Sequence, residues 1–204
     1  MKKILISPKI LHDKYGQLGQ FLDLSWASFF HKKAEIFTWT PGKKTYKDFN
    51  FDGLVLSGGN DLYSIKKNKE NLIRDRFESR LVELAMKKSI PILSVCRGFQ
   101  FVNKFFGGSL TKVKNHTKKN HNIIFKKKFS FFKKKKLLNV NSYHNYKIKN
   151  LASNFLNIAE AKDETIEIAY AKKEKILGLM FHPERKNLSQ IPVNRLIFDY
   201  FNIK

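Results

Sequence analysis

A ten-residue segment, residues 91–100, constrains the fold of this chain more than any other part of the sequence. It reads PILSVCRGFQ, so a short apolar run ends at Cys96, the sole cysteine in 204 residues, and Gly98 follows two positions later. The apolar residues beyond it recur with the spacing of one helical face: Phe99, Val102, Phe105 and Phe106. The segment therefore predicts a buried strand, a tight turn at Cys96 and a helix.

The predicted turn would place the Cys96 sulfur near the N-terminus of the following helix. Partial positive charge at that end of a helix favours a thiolate over a thiol. Small residues stand two positions before and after the cysteine, Ser94 and Gly98, which is what a sharp strand-to-helix turn around a nucleophile requires. A small apolar cysteine in a core strand is the simpler interpretation. This segment by itself leaves both interpretations open.

The first half of the chain alternates strand-like and helix-like patterns. Predicted strands cover residues 3–7, 34–39, 51–56 and 91–95, with a turn at Pro41-Gly42, and predicted helices cover residues 15–30 and 71–88. Strands that alternate with helices are typical of parallel βαβ units, with helices on both faces of the sheet. The sequence therefore predicts an α/β fold.

The second half has a different pattern, which begins after Gly107-Gly108. Residues 112–136 are basic and irregular, residues 137–143 are strand-like, and residues 157–162, 165–172 and 176–181 predict a three-stranded meander before a closing helix at 190–201. No segment is rich enough in Pro, Gly or Ser to separate two domains. We therefore expect a single domain over residues 1–204.

The chain carries 40 Lys+Arg against 17 Asp+Glu, a formal net charge of +23. Such a balance favours polyanionic partners, whether nucleic acid, an anionic membrane or a phosphorylated substrate. Compositional drift in a genome rich in A and T is the alternative explanation, since Lys, Asn, Ile and Phe are plentiful throughout. One cysteine excludes an internal disulfide, and the sequence shows neither a signal-peptide core nor a membrane-spanning run. These features predict a cytoplasmic protein.

Three polar clusters follow predicted strands: Gly58-Gly59, Cys96 and His182-Pro183-Glu184. In open α/β sheets, sites form outside the carboxyl ends of the strands. A thiolate nucleophile needs a base, which His182 can supply near neutral pH. Glu184 lies two residues beyond His182 on an extended segment, so its side chain points to the same side as that of His182 and can orient the imidazole ring.

Backbone N–H groups near the cysteine could stabilise a developing oxyanion. The Gly58-Gly59 backbone can approach a reacting group closely because neither residue has a side chain. The N–H of Arg97, immediately after the cysteine, is the natural second donor. Singly, each cluster could be a turn or a strand end. Their occurrence together, in this order, favours a nucleophilic site.

In these motifs the sequence resembles the class I glutamine amidotransferase-like hydrolases, specifically the γ-glutamyl hydrolase branch. The resemblance rests on five segments: LSGGND at residues 56–61, PILSVCRGFQ at 91–100, GGSL at 107–110, VNSYH at 140–144 and FHPE at 181–184. It implies a three-layer sandwich with a mostly parallel central sheet and a small antiparallel element. It implies neither a cofactor nor a metal.

The resemblance also implies roles for individual residues. It implies a Cys96–His182–Glu184 triad, with the backbone of Gly59 and Arg97 as the oxyanion hole. The substrate-binding residues it implies, several of them contacting the α-amino and α-carboxyl groups of a glutamyl moiety, are Gly58, Asn60, Gln100, Ser142, Tyr143 and His144. Two features depart from the family pattern: Ser94 replaces a glycine, and residues 112–136 are unusually basic. The second departure leaves the non-glutamyl half of the substrate open.

Small size and abundant lysine narrow the resemblance to a hydrolase of a nucleotide-linked γ-glutamyl phosphoramidate in capsule biosynthesis. The motifs do not separate that activity from hydrolysis of γ-glutamyl amines. A glutaminase subunit that feeds ammonia to a partner synthetase is a further alternative, although the residues do not require such a partner.

A basic nucleic-acid-binding protein is the alternative from another class, with Phe129, Phe131 and Phe132 stacking on bases. No helix-turn-helix or RNP-like pattern accompanies these residues, which weighs against nucleic acid as a partner. We expect no membrane partner either.

Overall fold

The computed structural model describes residues 1–39, 50–127, 129, 131 and 137–204. The predicted turn at Pro41-Gly42 and the lysines at 133–136 lie outside the described residues. The described strands are β1 (Lys2–Ser7), β2 (Lys9–His12), β3 (Leu18–Phe21), β4 (Ala34–Phe37), β5 (Gly53–Leu56), β6 (Ile92–Val95), β7 (Ser109–Lys112), β8 (Thr117–Phe125), β9 (Leu137–Tyr143), β10 (Tyr146–Asn150), β11 (Leu156–Ala161), β12 (Ile166–Ala171) and β13 (Ile176–Leu179). The described helices are α1 (Ser25–Phe30), α2 (Lys69–Lys87), α3 (Arg97–Phe105) and α4 (Gln190–Phe201).

A nine-stranded mixed sheet in the order β4-β1-β5-β6-β13-β12-β11-β8-β9 forms the central layer. The pairings from β4 through β13 are parallel, and those from β13 through β9 are antiparallel. Two small antiparallel pairs, β2-β3 and β7-β10, lie outside this sheet. The predicted α/β class, the small antiparallel element and the meander of β11, β12 and β13 are confirmed.

Helices cover both faces of the sheet because each presents an apolar face to it. On one side α1 and α4 bury Trp26 and Leu196 against sheet residues such as Val95. On the other side α2 and α3 bury residues such as Leu81 and Phe99. Burial of these faces supplies the main driving force for the three-layer arrangement. No helix among the described residues is long and apolar enough to span a membrane.

The prediction of a helix over residues 15–30 is wrong for most of its length. Asp13 accepts hydrogen bonds from the backbone N–H groups of Tyr15 and Gln17, both at 2.8 Å, and Gly16 has a φ of +77°. This side-chain-to-backbone turn competes with helix formation. The turn joins β2 to β3, so only Ser25–Phe30 is helical.

The prediction of irregular structure over residues 112–136 is wrong for residues 117–125. That segment is strand β8, which pairs along its length with β9 and also with β11. Of its side chains, Ile123 is completely buried while the flanking lysines are exposed. Because so few of its side chains are buried, the sequence of β8 shows little of the hydrophobic alternation that predicts a strand. Backbone pairing with β9 and β11 makes the segment a strand.

Two phenylalanines of the basic segment pack inward. The Phe129 ring lies 5.3 Å from the Tyr170 ring, and the Phe131 ring lies 5.5 Å from the Tyr200 ring. Phe129 is only 6% exposed. Because these two rings are occupied within the protein, they do not offer a stacking surface for bases; Phe132 lies outside the described residues.

Candidate active site

The three predicted polar clusters meet at the carboxyl ends of three neighbouring strands. Strands β5, β6 and β13 are consecutive parallel neighbours, so the residues that follow them emerge side by side. The Cys96 N–H donates a 2.7 Å hydrogen bond to the Leu179 carbonyl, which joins the end of β6 to the end of β13. This pairing brings Cys96 beside the segment that carries His182.

Cys96 occupies a strained turn between β6 and α3. Its φ is +51° and its ψ is −103°, a region that a residue with a side chain adopts only when its surroundings enforce it. A Cβ at Gly98 would lie 2.2 Å from the Leu56 carbonyl oxygen, so the turn requires glycine there. Ser94 fits at the other small position because its hydroxyl donates to the Leu177 carbonyl at 3.1 Å.

His182 and Glu184 form a buried pair beside Cys96. The His182 Nδ1 lies 2.6 Å from the Glu184 Oε1, and the two residues are 3% and 9% exposed. Burial lowers the pKa of His182, but the charges of Cys96 and Glu184 and hydrogen bonds to both raise it to about 9. A protonated imidazole next to the sulfur stabilises a thiolate.

Two buried asparagines hold the segment that carries His182. Asn141 accepts a hydrogen bond from the His182 N–H at 2.9 Å and donates to the His182 carbonyl at 2.8 Å. Asn187 donates to the same carbonyl at 3.0 Å and accepts from the Asn141 N–H at 2.8 Å. Sequence reasoning assigned neither residue a role, although Asn141 lies within the VNSYH motif. Because both amides bond to backbone, they restrict the position of the imidazole.

The glycines after β5 are required by close packing. A Cβ at Gly58 would lie 2.4 Å from the His182 Cε1. Gly59 has a φ of +78°, and its Cβ would lie 2.1 Å from the Lys9 Cε. Gly58 therefore makes room for the imidazole, and Gly59 combines a left-handed backbone conformation with close contact to a lysine side chain.

Arg74, which sequence reasoning missed, fixes the orientation of this glycine loop. Its guanidinium donates to the carbonyls of Ser57, Gly58 and Gly59 at 2.6, 3.3 and 2.6 Å. In a trans peptide the N–H points opposite to the carbonyl it is joined to. Because the Gly58 carbonyl faces Arg74, the Gly59 N–H points away from it. Gly59 also lines the cleft beside Cys96.

A buried ion network supports both Arg74 and Arg97. Glu78 accepts hydrogen bonds from the Arg74 Nε at 2.9 Å and from the Ser7 hydroxyl at 2.7 Å. The Arg97 guanidinium donates to Glu78 and to Asp75. Burial lowers the pKa of Arg74 to about 9. The side chain of Arg97 is thus held beneath the site, while its N–H belongs to the first turn of α3, where N–H groups lack intrahelical partners.

A cleft of about 190 Å³ opens over Cys96. That volume is below the 300–1,000 Å³ of typical small-molecule sites, so it suits a small group with the rest of a ligand outside. The candidate residues that line it are Gly59, Asn60, Cys96, Arg97, Gln100, Tyr143, His144 and His182, together with Asp61, Asn145, Tyr146 and Arg185. Gly58, Ser142 and Glu184 do not line it.

The predicted substrate-binding side chains differ in how far hydrogen bonds within the protein already occupy their polar groups. Gln100 donates to the Tyr146 carbonyl at 3.1 Å. Asn60 is bonded through its amide to the backbone of Ile10 at 3.2 and 3.0 Å. The Ser142 hydroxyl donates to the His116 carbonyl at 2.5 Å. Asn60 and Ser142 thus bond to the backbone of Ile10 and His116, and contacts between these two side chains and a substrate stay predictions.

Tyr143 and His144 form one wall of the cleft. The Tyr143 ring is 40% exposed and meets the His182 ring edge-on at 5.8 Å. The His144 Nδ1 lies 3.0 Å from the Tyr146 carbonyl, and its Nε2 lies 3.5 Å from the Glu167 Oε1. Both nitrogens of His144 therefore face protein groups, and a contact between them and a substrate stays a prediction.

Arg185 and Lys9 provide positive charge near the cleft, and sequence reasoning missed both. The Arg185 guanidinium lies 4.8 Å above the Tyr143 ring. The stem of Lys9 packs over Gly59, and burial together with nearby Arg185 lowers the pKa of Lys9. In the part of residues 112–136 that the structure describes, no lysine lines the cleft. The local cations thus come from elsewhere in the chain.

Comparison with known proteins defines the class to which this fold and site belong. The family model described as Peptidase C26 matches residues 44–184, and the chain belongs to that family. The chain is therefore a hydrolase that acts on carbon–nitrogen bonds, and the predicted family resemblance is confirmed.

Individual relatives are consistent with this class. The chain is 34% identical over 185 residues to the gamma-glutamyl-CDP-amidate hydrolase of Campylobacter jejuni subsp. jejuni serotype O:2, covering 87% of each chain. It is 27% identical over 169 residues to the glutamine-hydrolyzing GMP synthase subunit of Pyrococcus abyssi, covering 81% of this chain and 85% of the relative. A glutamine amidotransferase structure from Thermotoga maritima aligns with a TM-score of 0.69 at 22% identity, covering 98% of this chain and 83% of that one.

Proposed function

We propose that this protein is a cysteine hydrolase that cleaves a γ-glutamyl amide or phosphoramidate bond and releases glutamate. The observation that carries the proposal is the strained Cys96 turn beside the buried His182–Glu184 pair, at the base of a cleft lined by Gly59 and Arg97. A thiol nucleophile also suits a reducing compartment, so a cytoplasmic location is part of the proposal.

In the first step, the Cys96 thiolate attacks the γ-carbonyl carbon of the substrate. The N–H groups of Gly59 and Arg97 stabilise the oxyanion of the tetrahedral intermediate. Protonated His182 then gives its proton to the leaving nitrogen as the carbon–nitrogen bond breaks. The products of this step are the free amine or phosphoramidate and a γ-glutamyl thioester on Cys96.

In the second step, water hydrolyses the thioester. His182, now neutral, accepts a proton from the water as it attacks the thioester carbonyl, and the same two N–H groups stabilise the second oxyanion. Collapse of this intermediate releases glutamate and returns the Cys96 thiolate. Glu184 holds the imidazole in the orientation that both proton transfers need.

The specific substrate we propose is a γ-glutamyl-CDP-amidate, in the context of capsule biosynthesis. The name of the Campylobacter relative supports it, since that relative covers most of this chain. The small cleft suits the glutamyl half, with its lining residues Asn60, Gln100, Tyr143 and His144 as the proposed contacts. Gly58 and Ser142, which do not line the cleft, would support it indirectly, Gly58 by making room for His182 and Ser142 by its hydrogen bond to the His116 carbonyl. Arg185, which lines the cleft, and Lys9, whose side chain packs against Gly59, suit the phosphates outside it.

A substrate panel tests the proposal. Glutamate release should be measured from γ-glutamyl-CDP-amidate, from a γ-glutamyl amine such as γ-glutamyl-GABA and from glutamine, with the Cys96→Ala variant as control. We expect activity on the first substrate and none in the variant. Equal kcat/KM for the amidate and the amine would remove the nucleotide assignment, and full activity of the variant would remove the mechanism.

A glutaminase subunit is a second candidate, favoured by the similarity to the GMP synthase subunit from Pyrococcus abyssi. It predicts ammonia release from glutamine that rises when a synthetase chain is present. Affinity purification of the tagged chain from its native cells tests it: a co-purifying synthetase that stimulates glutamine hydrolysis would favour this candidate, and a chain that hydrolyses the amidate alone would exclude it.

A further inference from the structure

A second cluster of titratable side chains lies in the antiparallel half of the sheet. His116 directly precedes β8, His121 lies on β8, His144 follows β9, and Glu167 lies on β12. Glu167 is completely buried, and His144 and His116 are 3% and 4% exposed. The proposed hydrolytic mechanism uses none of these side chains as an acid, base or nucleophile.

The three imidazoles converge on one carboxylate oxygen. The Glu167 Oε1 lies 3.7 Å from the His116 Nδ1, 3.2 Å from the His121 Nε2 and 3.5 Å from the His144 Nε2. In a tetrahedral zinc site, ligand atoms about 2.0–2.2 Å from the metal are about 3.3–3.6 Å from one another. One ligand atom each from His116, His144 and Glu167 also lies within 4.8 Å of the other two, so these three side chains are spaced closely enough to hold one ion, with His121 beside the Glu167 Oε1.

The outward-facing nitrogens of two histidines are held by acceptors. The His116 Nε2 lies 3.0 Å from the Asp163 Oδ2, and the His144 Nδ1 lies 3.0 Å from the Tyr146 carbonyl. Metal-binding histidines characteristically donate their second N–H to a carboxylate or a backbone carbonyl, which fixes the ring and its tautomer. Both types of outer partner are present in this cluster.

Most inward-facing polar atoms of the cluster are buried without satisfied hydrogen bonds, whereas the His116 Nδ1 lies 3.4 Å from the Ser142 hydroxyl. Among the described residues, the Nε2 atoms of His121 and His144 and both oxygens of Glu167 have no partner in favourable hydrogen-bond geometry. A buried carboxylate left in this state is costly.

The structure assigns to His116, His144 and Glu167, with His121 beside Glu167, a site for one divalent transition-metal ion, with Zn²⁺ as the ion that these imidazole and carboxylate ligands suit. The ion would join β12 to the residues that precede β8 and follow β9. His144 also lines the catalytic cleft, so the ion would fix one wall of that cleft without contacting the reacting atoms. The inference is independent of which γ-glutamyl compound is cleaved.

Zinc binding should be measured on the full chain carrying Cys96→Ser. This background is needed because the Cys96 thiolate with His182 and Glu184 could itself bind zinc. Metal-free protein is titrated with Zn²⁺ against a chromophoric chelator. We expect one equivalent to bind and to raise the melting temperature. Absence of stoichiometric binding would overturn the inference.

Variants in the same background locate the ion. Glu167→Gln, which preserves shape, should weaken binding at least about 100-fold, and Asp163→Asn should weaken it about 10–100-fold, as expected for an outer partner. His31→Ala, at an exposed histidine, is the matched control and should leave binding unchanged. Binding that survives Glu167→Gln would refute the assignment.

X-ray absorption spectroscopy of the zinc-loaded Cys96→Ser protein gives a test that does not depend on the folding of any further variant. We expect at least two imidazole nitrogens and one carboxylate oxygen at about 2.0–2.2 Å. A first shell with fewer than two imidazoles would overturn the site.

Discussion

Replacing Gly58 with alanine tests how closely the site is packed around His182. The added Cβ would lie 2.4 Å from the His182 Cε1, whereas ordinary contact begins at 3.4 Å. The imidazole must therefore move by about 1 Å, and it cannot move freely because Asn141 and Glu184 bond to its backbone and ring.

The expected loss of activity follows from that displacement. A misplacement of about 1 Å in a catalytic group costs about 100-fold in rate, equivalent to about 2.7 kcal/mol of transition-state stabilisation. Because Gly58 makes room for the base, kcat should fall while KM changes little. Steady-state kinetics of glutamate release from γ-glutamyl-CDP-amidate, or from the best substrate of the panel, would measure both.

Gly19→Ala is the matched control, since its Cβ would meet nothing within 4 Å. It should retain wild-type kinetics. If Gly58→Ala instead raised KM at constant kcat, Gly58 would be a substrate contact, as the family resemblance implied. A fully active Gly58→Ala enzyme would refute the packing argument.

The remaining predictions concern the triad, pH and charge. Cys96→Ala should abolish glutamate release while circular dichroism remains unchanged, because no other thiol is present. Glu184→Gln should slow turnover less than His182→Ala, because an orienting group contributes less than the base it orients. Since the pKa of His182 is raised from 6.5 to about 9, the imidazolium that protonates the leaving nitrogen is lost as the pH rises through about 9, and kcat should fall over that range. Finally, kcat/KM for a nucleotide-linked substrate should fall as the salt concentration rises, because salt screens the attraction between the basic protein and the phosphates beyond a Debye length of about 10 Å at 0.1 M. Arg185→Gln should flatten that dependence.

Each of these predictions has a result that would contradict it. Activity of Cys96→Ala within about tenfold of wild type would show that Cys96 is not the nucleophile. A Glu184→Gln enzyme slower than His182→Ala would contradict the roles assigned to these two residues. A kcat that stays constant as the pH rises through 9 would mean that protonated His182 is not the acid. Parallel salt curves for the nucleotide substrate and a neutral γ-glutamyl amine would mean that the +23 charge reflects amino-acid composition and does not attract the substrate.

The sequence alone determined where on the sheet the proposed site lies. Cys96 lies between an apolar run and a helical pattern, and His182 and Glu184 are two residues apart after another apolar run. Local periodicity identifies such strand ends, and parallel neighbours bring their ends to the same edge of a sheet. The residues of the proposed triad could therefore be placed near one another before any long-range contact was known.

The tertiary structure decided everything that depends on contacts between distant segments. Arg74 looks like an ordinary surface charge of a helix, yet it is completely buried and holds the carbonyls of the loop after β5. His116 and His121 carried no signal in the sequence, because their partner Glu167 lies more than 40 residues further along the chain. Strand register brings such residues together, and register depends on pairings that no local pattern records.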